Sequence, residues 1–224
     1  MLSGGQWTLR SSSIGEPALP SNSLLHPTQI ERLRNADIKI VVSSKSGEGL
    51  AESALSNLLL PLFNQFNIPF SCHKTISKTS HTLYFSGIEF PSSKENVIVV
   101  FGGDTVIFDL LNSLPENQFV TPEHRFILCP IPCGTGNALA TSLGIKNIPL
   151  GIPRIFGLRK ASSELERLPL LKITIREQAR QQVVFASVVC SWGFHASLVA
   201  NSDDPEMRRE YGAQRFQVQC FWKY

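Results

Sequence analysis

Three apolar runs in this 224-residue chain are each followed by a glycine-bearing turn and then by apolar residues at helical spacing. The runs cover residues 38–42, 96–101 and 126–132, and their nearly continuous apolar character is typical of strands buried on both faces. Strand, loop and helix in this order form half of a βαβ unit. The repetition predicts a three-layer α/β domain with a parallel sheet, whose functional loops lie beyond the carboxyl ends of the strands.

The three turns are rich in glycine, serine and other small residues, and they cover residues 43–49, 102–104 and 134–137. Glycine permits positive φ and lets backbone N–H groups approach a ligand closely. A helix N-terminus adds unpaired N–H donors and partial positive charge, so such an edge suits phosphate. No turn matches the P-loop G-x-x-x-x-G-K-[ST] or the dinucleotide fingerprint G-x-G-x-x-G. We therefore predict a nucleotide-binding domain of another kind.

Outside the three strand–loop–helix repeats, the composition and hydrophobic pattern of the chain change twice. Residues 1–35 are rich in Ser, Pro, Gly and Leu without periodicity, which predicts a disordered lead-in to the α/β domain at 36–160. Beyond it, residues 168–175 and 183–189 are strand-like. We expect residues 161–224 to begin a β-rich second domain. Because a sandwich or barrel usually needs roughly 100 residues, that domain is predicted to be incomplete.

The charge and the hydropathy of the chain limit which partners we expect among nucleic acids and membranes. The formal net charge is +3, and no dense run of Lys or Arg occurs, so we expect no nucleic-acid partner. No segment approaches the roughly 18–20 apolar residues that a membrane-spanning helix needs, and no signal peptide is evident. The sequence therefore predicts a cytoplasmic protein that meets membranes only peripherally.

The five cysteines are odd in number and scattered, which argues against a disulfide framework. Cys129 and Cys133 form a C-x3-C pair, but no second pair or clustered histidine completes a zinc site. We predict reduced thiols.

Asp104 is the candidate catalytic residue, because it follows a predicted strand and two glycines. A carboxylate at this place can accept a hydroxyl proton or hold a metal ion bound to nucleotide phosphates. The structural alternative is that Asp104 caps the predicted helix over 106–114, since Asp is a preferred N-cap residue. Position alone does not separate the two.

Five blocks of the sequence occur in the order found in one enzyme family: residues 44–49 (SKSGEG), 99–114 (VVFGGDTVIFDLLNSL), 132–140 (PCGTGNALA), 191–196 (SWGFHA) and 211–216 (YGAQRF). Together they resemble the diacylglycerol kinase catalytic-domain family, and within it most closely the sphingosine (long-chain base) kinases. The second block is similar to GGDGT-x-x-E-x-x-N-G-L, and the third to P-C-G-[ST]-G-N-A-L-A. The resemblance covers about residues 36–224.

The resemblance implies that ATP, with Mg²⁺, phosphorylates a lipid hydroxyl. It assigns Asp104 as general base or metal partner, and it assigns no substrate residue and no dedicated metal ligand. The residues that it implies for nucleotide binding are Ser46, Gly47, Gly49, Thr75, Gly102, Gly103, Gly134, Thr135, Gly136, Asn137, Arg209 and Arg215.

The chain departs from the family pattern at several places. Thr105 stands where the family has glycine, and a β-branched residue disfavours unusual φ/ψ. Asp109 replaces a glutamate. The stretch 197–201 lacks the carboxylates that sphingosine kinases carry there. Family members also continue beyond the point that corresponds to Tyr224.

These departures leave several hypotheses open. The first is an ATP-dependent kinase of a sphingoid long-chain base, and the second is a diacylglycerol or ceramide kinase. A third is an inactive kinase-like protein that binds nucleotide, lipid or a full-length relative. A NAD kinase or phosphofructokinase shares the GGD element, but residues 132–140 and 191–196 favour lipid kinases.

Overall fold

The computed structural model describes residues 27–44, 46, 49–75, 84–88, 90–114, 126–157, 168–177 and 180–222. Within these residues the elements are, in order, α1 (Pro27–Asn35), β1 (Asp37–Ser43), α2 (Leu50–Ala54), a π-helical segment (Leu55–Leu59), α3 (Leu60–Gln65), β2 (Ser71–Thr75), β3 (Asn96–Gly102), α4 (Asp104–Ser113), β4 (Phe126–Pro132), α5 (Ala138–Ser142), α6 (Ile148–Ile155), β5 (Leu171–Glu177), β6 (Arg180–Ala186), α7 (Gly193–Ser202), α8 (Pro205–Tyr211), a 3₁₀ turn (Gly212–Gln214) and α9 (Arg215–Trp222).

In the described part of the chain, β1 to β4 form a parallel sheet in the order β2-β1-β3-β4. Ser43 pairs with Thr75, and Gly102 pairs with Pro132, so the strands end together at one edge. The chain leaves β1 toward β2 and then crosses to β3 on the other side of β1. Such a reversal opens a crevice beyond the carboxyl ends of β1 and β3, where ligands bind in open α/β sheets.

Alternate residues of the central strands face two different hydrophobic clusters. On β3, Val97, Val99 and Phe101 pack in a first cluster with α1, α2, α3 and α6, whereas Ile98 and Val100 pack in a second cluster with α4. Every residue of β3 is buried because helices cover both faces of the sheet. The predicted three-layer α/β architecture is therefore confirmed.

Helix α1 lies inside the stretch predicted to be a disordered lead-in, so the prediction is wrong for residues 27–35. Leu33 is buried in the first cluster, and the Arg32 guanidinium binds the Glu95 carboxylate at 2.6 Å. The helix was missed because Leu33 is its one buried residue and Pro27 and Ile30 are its only other apolar residues, which is too weak a periodic signal. Residues 1–26 lie outside the described residues.

The segment after the α/β domain contains an antiparallel hairpin of β5 and β6, followed by α7, α8 and α9. The strand prediction suits the hairpin, but Gly193–Trp222 is largely helical, which the sequence patterns did not indicate. Leu168, Leu170 and Phe185 pack against the second cluster. Among the described helices, none combines the length and apolarity that crossing a bilayer requires. The proposed domain limits stay a prediction.

Phe63 is fully buried in the first cluster, where its ring meets the rings of Phe70 and Phe156 edge to face. We expect Phe63→Ala to lower the free energy of unfolding by about 3–5 kcal/mol, because the vacated volume cannot be refilled. Phe108, which is 41% exposed, provides the control: Phe108→Ala should cost less than about 1 kcal/mol. Denaturant titration of both variants tests this, and equal losses would contradict the core assignment.

Candidate functional site

The turns after β3 and β4 are packed backbone against backbone. A methyl group added at Gly103 would lie 2.6 Å from the Gly136 carbonyl oxygen, and one added at Gly134 would overlap the Cα atom of Gly103. Hydrogen bonds close the contact on both sides, from the Cys133 N–H to the Gly102 carbonyl and from the Asp104 N–H to the Gly136 carbonyl, each at 3.1 Å. The two predicted loops are thus brought together as one surface.

The glycines of this surface are not there for positive φ. Gly103 has φ −108° and ψ −173°, an extended conformation open to any residue. Gly102 is constrained differently, because an added methyl group would lie 2.8 Å from the Val106 side chain. The close approach that Gly103 and Gly134 permit is, in this structure, the approach of one loop to the other.

The Asp104 carboxylate accepts two backbone N–H groups across the loop contact. Its Oδ2 accepts from Ala138 at 2.7 Å and its Oδ1 from Leu139 at 3.1 Å, so it caps α5. The structural alternative considered above was a cap on its own helix, but Asp104 is the first residue of α4 and Gly103 is the N-cap. Asp104 is therefore a cap, although of the neighbouring helix. A carboxylate offers about four lone-pair positions, so both oxygens keep acceptor capacity.

Asn137 closes the second loop. Its Oδ1 accepts from the Gly134 N–H at 3.0 Å, and its Nδ2 donates to the Gly134 carbonyl at 2.6 Å. The amide predicted to contact nucleotide is thus engaged in shaping the loop. Thr135 and Gly136, at the tip, are exposed and present the solvent-facing surface of the site.

The turn after β1 reaches the same edge of the sheet. The Ser46 hydroxyl donates to the Ser43 hydroxyl at 2.6 Å. Gly49, the N-cap of α2, has φ 75°, the positive φ that favours glycine in such a turn. Gly47, also predicted to bind nucleotide, lies outside the described residues.

Thr75 ends β2 beside this turn and is buried, with its hydroxyl donating to the Val42 carbonyl at 3.2 Å. The carboxylate of Glu52 lies beside this turn, and it was not among the predicted site residues. Glu52 accepts from the Ser44 hydroxyl at 2.7 Å and from the Lys74 ammonium at 3.0 Å. The Ser44 hydroxyl, and then the Lys74 charge, lower the pKa of Glu52. Glu52 ties the ends of β1 and β2 together, and no sequence motif marks it.

Arg209 and Arg215 are not joined to the glycine loops by any hydrogen bond or ion pair within the described residues. Arg209 is exposed on α8. Arg215 is 7% exposed and donates to the Gly212 carbonyl at 2.8 Å, while its guanidinium lies 3.5 Å from the Asp203 carboxylate and 4.3 Å from the Phe216 ring centroid. Their predicted role in nucleotide binding stays a prediction.

Thr105 lies in the first turn of α4 with an exposed side chain. Helical φ/ψ is open to every residue except proline with little strain. The backbone at Thr105 is therefore in an ordinary helical conformation and not in an unusual region of φ/ψ. Asp109 follows one turn later on the same helix and is partly exposed.

One carboxylate at this edge, that of Asp104, suits a Mg²⁺ ion that is also bound by nucleotide phosphates. The described residues contain no group of three or more His, Cys, Asp or Glu side chains that could hold a metal ion by themselves. Mg²⁺ in kinases is bound through one or two carboxylates together with substrate phosphates. Asp104, with acceptor capacity left on both oxygens, meets that requirement.

The loops lie within a segment that matches a known protein family. A model of the diacylglycerol kinase catalytic domain matches residues 37–164, more than half of the chain. Sphingosine kinase 2 of Homo sapiens is 26% identical over 206 residues, which cover 88% of this chain and 30% of that protein. Sphingosine kinase 1 of Rattus norvegicus is 24% identical over 202 residues, which cover 85% of this chain and 49% of that protein. The chain thus spans less than half the length of either relative.

Among solved structures, a diacylglycerol kinase from Bacillus anthracis str. Sterne is similar over 54% of this chain and 38% of that chain. The identity is 29% and the TM-score is 0.42.

The loop contact predicts an asymmetric response to alanine. Gly103→Ala should lower the free energy of unfolding by about 1–3 kcal/mol, because its methyl group must displace the backbone of the other loop. Gly136→Ala is the control, since its methyl group would meet Asp104 Oδ2 at 3.6 Å, an ordinary contact. Thermal and denaturant unfolding compare the two variants. If both glycines tolerate alanine equally, the loops are not packed in this way.

The Cys133 thiol begins the second loop, and burial raises its pKa to about 12. In the unfolded chain the thiol ionises near pH 9, so between these values the unfolded state loses a proton that the folded state keeps. Stability is therefore fully present below about pH 9 and is lost as the pH rises toward about 12.

We expect Cys133→Ala to weaken this alkaline loss by about 1 kcal/mol between about pH 8 and pH 10. Denaturant titrations at the two pH values measure it, with Cys220→Ala, at an exposed cysteine, as control. An unchanged pH dependence in Cys133→Ala would show that the thiol is not buried from water.

Proposed function

Because the chain belongs to the diacylglycerol kinase catalytic domain family, we propose that it transfers the γ-phosphoryl group of ATP to the hydroxyl of a lipid, with a sphingoid long-chain base as the acceptor. The observation that carries the proposal is the joined loop surface at the carboxyl edge of β3 and β4, with the Asp104 carboxylate between the loops. Phosphoryl transfer needs chiefly positioning and charge stabilisation, which such a surface supplies.

In this proposal Asp104 orients and deprotonates the lipid hydroxyl. The Ala138 and Leu139 N–H groups hold the carboxylate in one orientation, and its remaining lone pairs accept the hydroxyl hydrogen bond. In the alternative role, Asp104 would be the protein ligand of Mg²⁺, which, when bound, would neutralise charge on the nucleotide phosphates. The exposed backbone at Thr135 and Gly136 offers the surface on which phosphates can lie.

A sphingoid base is the preferred acceptor because residues 132–140 resemble the loop of sphingosine kinases, and the two curated relatives reported above are sphingosine kinases. We further propose that the protein is cytoplasmic and associates with membranes peripherally. Its cysteines are not joined in disulfides within the described residues, which suits a reducing compartment.

A diacylglycerol or ceramide acceptor is the second candidate, and one contact favours it. Residues 197–201 carry no carboxylate, and the nearby Asp203 carboxylate binds the guanidinium of Arg208 at 2.9 Å and lies 3.5 Å from that of Arg215. A positively charged sphingoid amine would have to compete with these arginines, whereas a neutral lipid would not.

An inactive protein that binds nucleotide, lipid or a full-length relative is the third candidate. The burial of Arg215 and its hydrogen bond to the Gly212 carbonyl support it, since the resemblance implies that this arginine reaches the phosphates.

The deciding experiment incubates the full chain with labelled ATP and Mg²⁺ in mixed micelles of sphinganine, diacylglycerol or ceramide. We expect label in one lipid, and a rate about 10²–10⁴-fold lower in Asp104→Asn, which removes the general base. Asp204→Asn is a matched control, because Asp204 is also a helix-capping carboxylate, bonded to the Glu206 N–H at 2.9 Å. It should retain the wild-type rate.

Other outcomes distinguish the alternatives. Transfer by Thr105→Gly but not by the wild type would identify the exposed Thr105 side chain as the obstacle to nucleotide. ATP binding without transfer in any variant would favour the inactive binding protein. Label in NAD or a sugar phosphate, offered in parallel, would replace the lipid-kinase proposal altogether.

A further inference from the structure

The side chain of Asn112 joins α4 to β6, the second strand of the hairpin that follows the parallel sheet. Its Nδ2 donates to the carbonyl oxygen of Phe185 at 2.8 Å, and its Oδ1 accepts from the Phe185 N–H at 2.8 Å. The other hydrogen of Nδ2 bonds the Phe108 carbonyl, one turn earlier on α4, at 2.8 Å. The amide is therefore fixed to its own helix and to β6 at the same time.

The Asn112 amide takes the place of a neighbouring strand. A residue in an antiparallel strand directs its N–H and its carbonyl toward the same side. On one side β6 pairs with β5, where Lys172 is opposite Phe185. Because both backbone groups of Phe185 reach Asn112, they face the other edge of β6, which pairs with no strand among the described residues. The edge of a sheet is normally left to water or to another chain, and here the Asn112 amide binds both backbone groups of one of its residues.

Apolar contacts surround this polar pair. The Phe185 ring packs against the second cluster, which contains Leu110 and Leu111 of α4. Apolar burial is non-directional and tolerates sliding, whereas a two-point hydrogen bond to one residue sets a single register. Asn112 thus determines how the hairpin lies on the helix.

Helix α4 connects this contact with the loop surface. Asp104 is its first residue, and Asn112 follows eight residues later, about 12 Å along the helix axis. Strand β6 leads through a short segment to Trp192, after which α7 begins. The contact of Asn112 with Phe185 therefore links this later segment to the helix that begins at Asp104.

We propose that Asn112 is a positioning residue that docks the β5–β6 hairpin on α4 in one register and so fixes the segment after β6 relative to the Asp104 carboxylate. Its effect on catalysis rests on the proposed kinase function, whereas the docking itself does not.

Amide hydrogen exchange of the full-length chain, resolved to single residues by fragmentation mass spectrometry, tests the docking. In the wild type the Phe185 amide should be as protected as the amides of β6 that bond β5. Asn112→Ala should speed its exchange about tenfold or more, because two hydrogen bonds that restrain the open edge are lost. Asn57→Ala is the matched control: Asn57 is an exposed helical asparagine whose Nδ2 donates to Ser53, one turn earlier, at 3.1 Å.

The second readout separates positioning from general stability. With an acceptor lipid at saturation, Asn112→Ala should lower kcat about tenfold or more and change KM for ATP less than about twofold, since the nucleotide loops keep their own contacts. Asn112→Asp keeps an acceptor for the Phe185 N–H but loses the donor to its carbonyl, so its effects should be intermediate.

Several results would overturn the inference. Unchanged exchange at Phe185 in Asn112→Ala, or a wild-type Phe185 amide that exchanges like an unbonded one, would refute the docking. Faster exchange with an unaltered kcat would refute the positioning role. If the wild type transfers no phosphate, the proposed function fails, and the docking is still decided by the exchange rates alone. If Asn112→Ala does not fold, the exchange rates of the wild type and of Asn112→Asp decide it.

Discussion

The backbone contact between Gly103 and Gly134 is the constraint on which the candidate site depends. Neighbouring parallel strands lie about 4.8 Å apart, so the turns that leave β3 and β4 start side by side. They can close on one another only if neither carries a side chain at the crossing point. That closure brings Asp104 within hydrogen-bond reach of the start of α5. Removing the contact would separate the two halves of the joined loop surface.

Helix α4 is ten residues long and makes three different contacts. Its apolar side, including Ile107 and Leu110, fills the second cluster against the sheet. Its first residue, Asp104, caps the adjacent helix, and Asn112 near its end holds β6. These contacts are made by different residues of one helix. A change in the position of the helix therefore alters the core, the loops and the hairpin together.

Strands β1, β3 and β4 and the three loops could be predicted because continuous apolar runs and glycine turns are local signals. The edge strand β2 could not, since Ser71–Thr75 is polar and largely exposed. Helix α1 and the helices of residues 193–222 could not either, since few of their residues are buried and their apolar periodicity is weak. The reason for glycine at positions 103 and 134 was also out of reach, because each is explained by the other loop. Contacts such as Asn112 with Phe185, 73 residues apart, leave no periodic trace.

The two interpretations of Asp104, helix cap and reactive carboxylate, are compatible in this geometry. A free carboxylate at a loop tip would lose rotational freedom only when ligand binds, and that loss would weaken catalysis. Two backbone N–H groups orient the Asp104 carboxylate before any ligand arrives. Pre-organised groups contribute most to transition-state stabilisation because they need no rearrangement during the reaction. The cap is thus the means by which this fold would hold a base in place, and the proposed chemistry requires it.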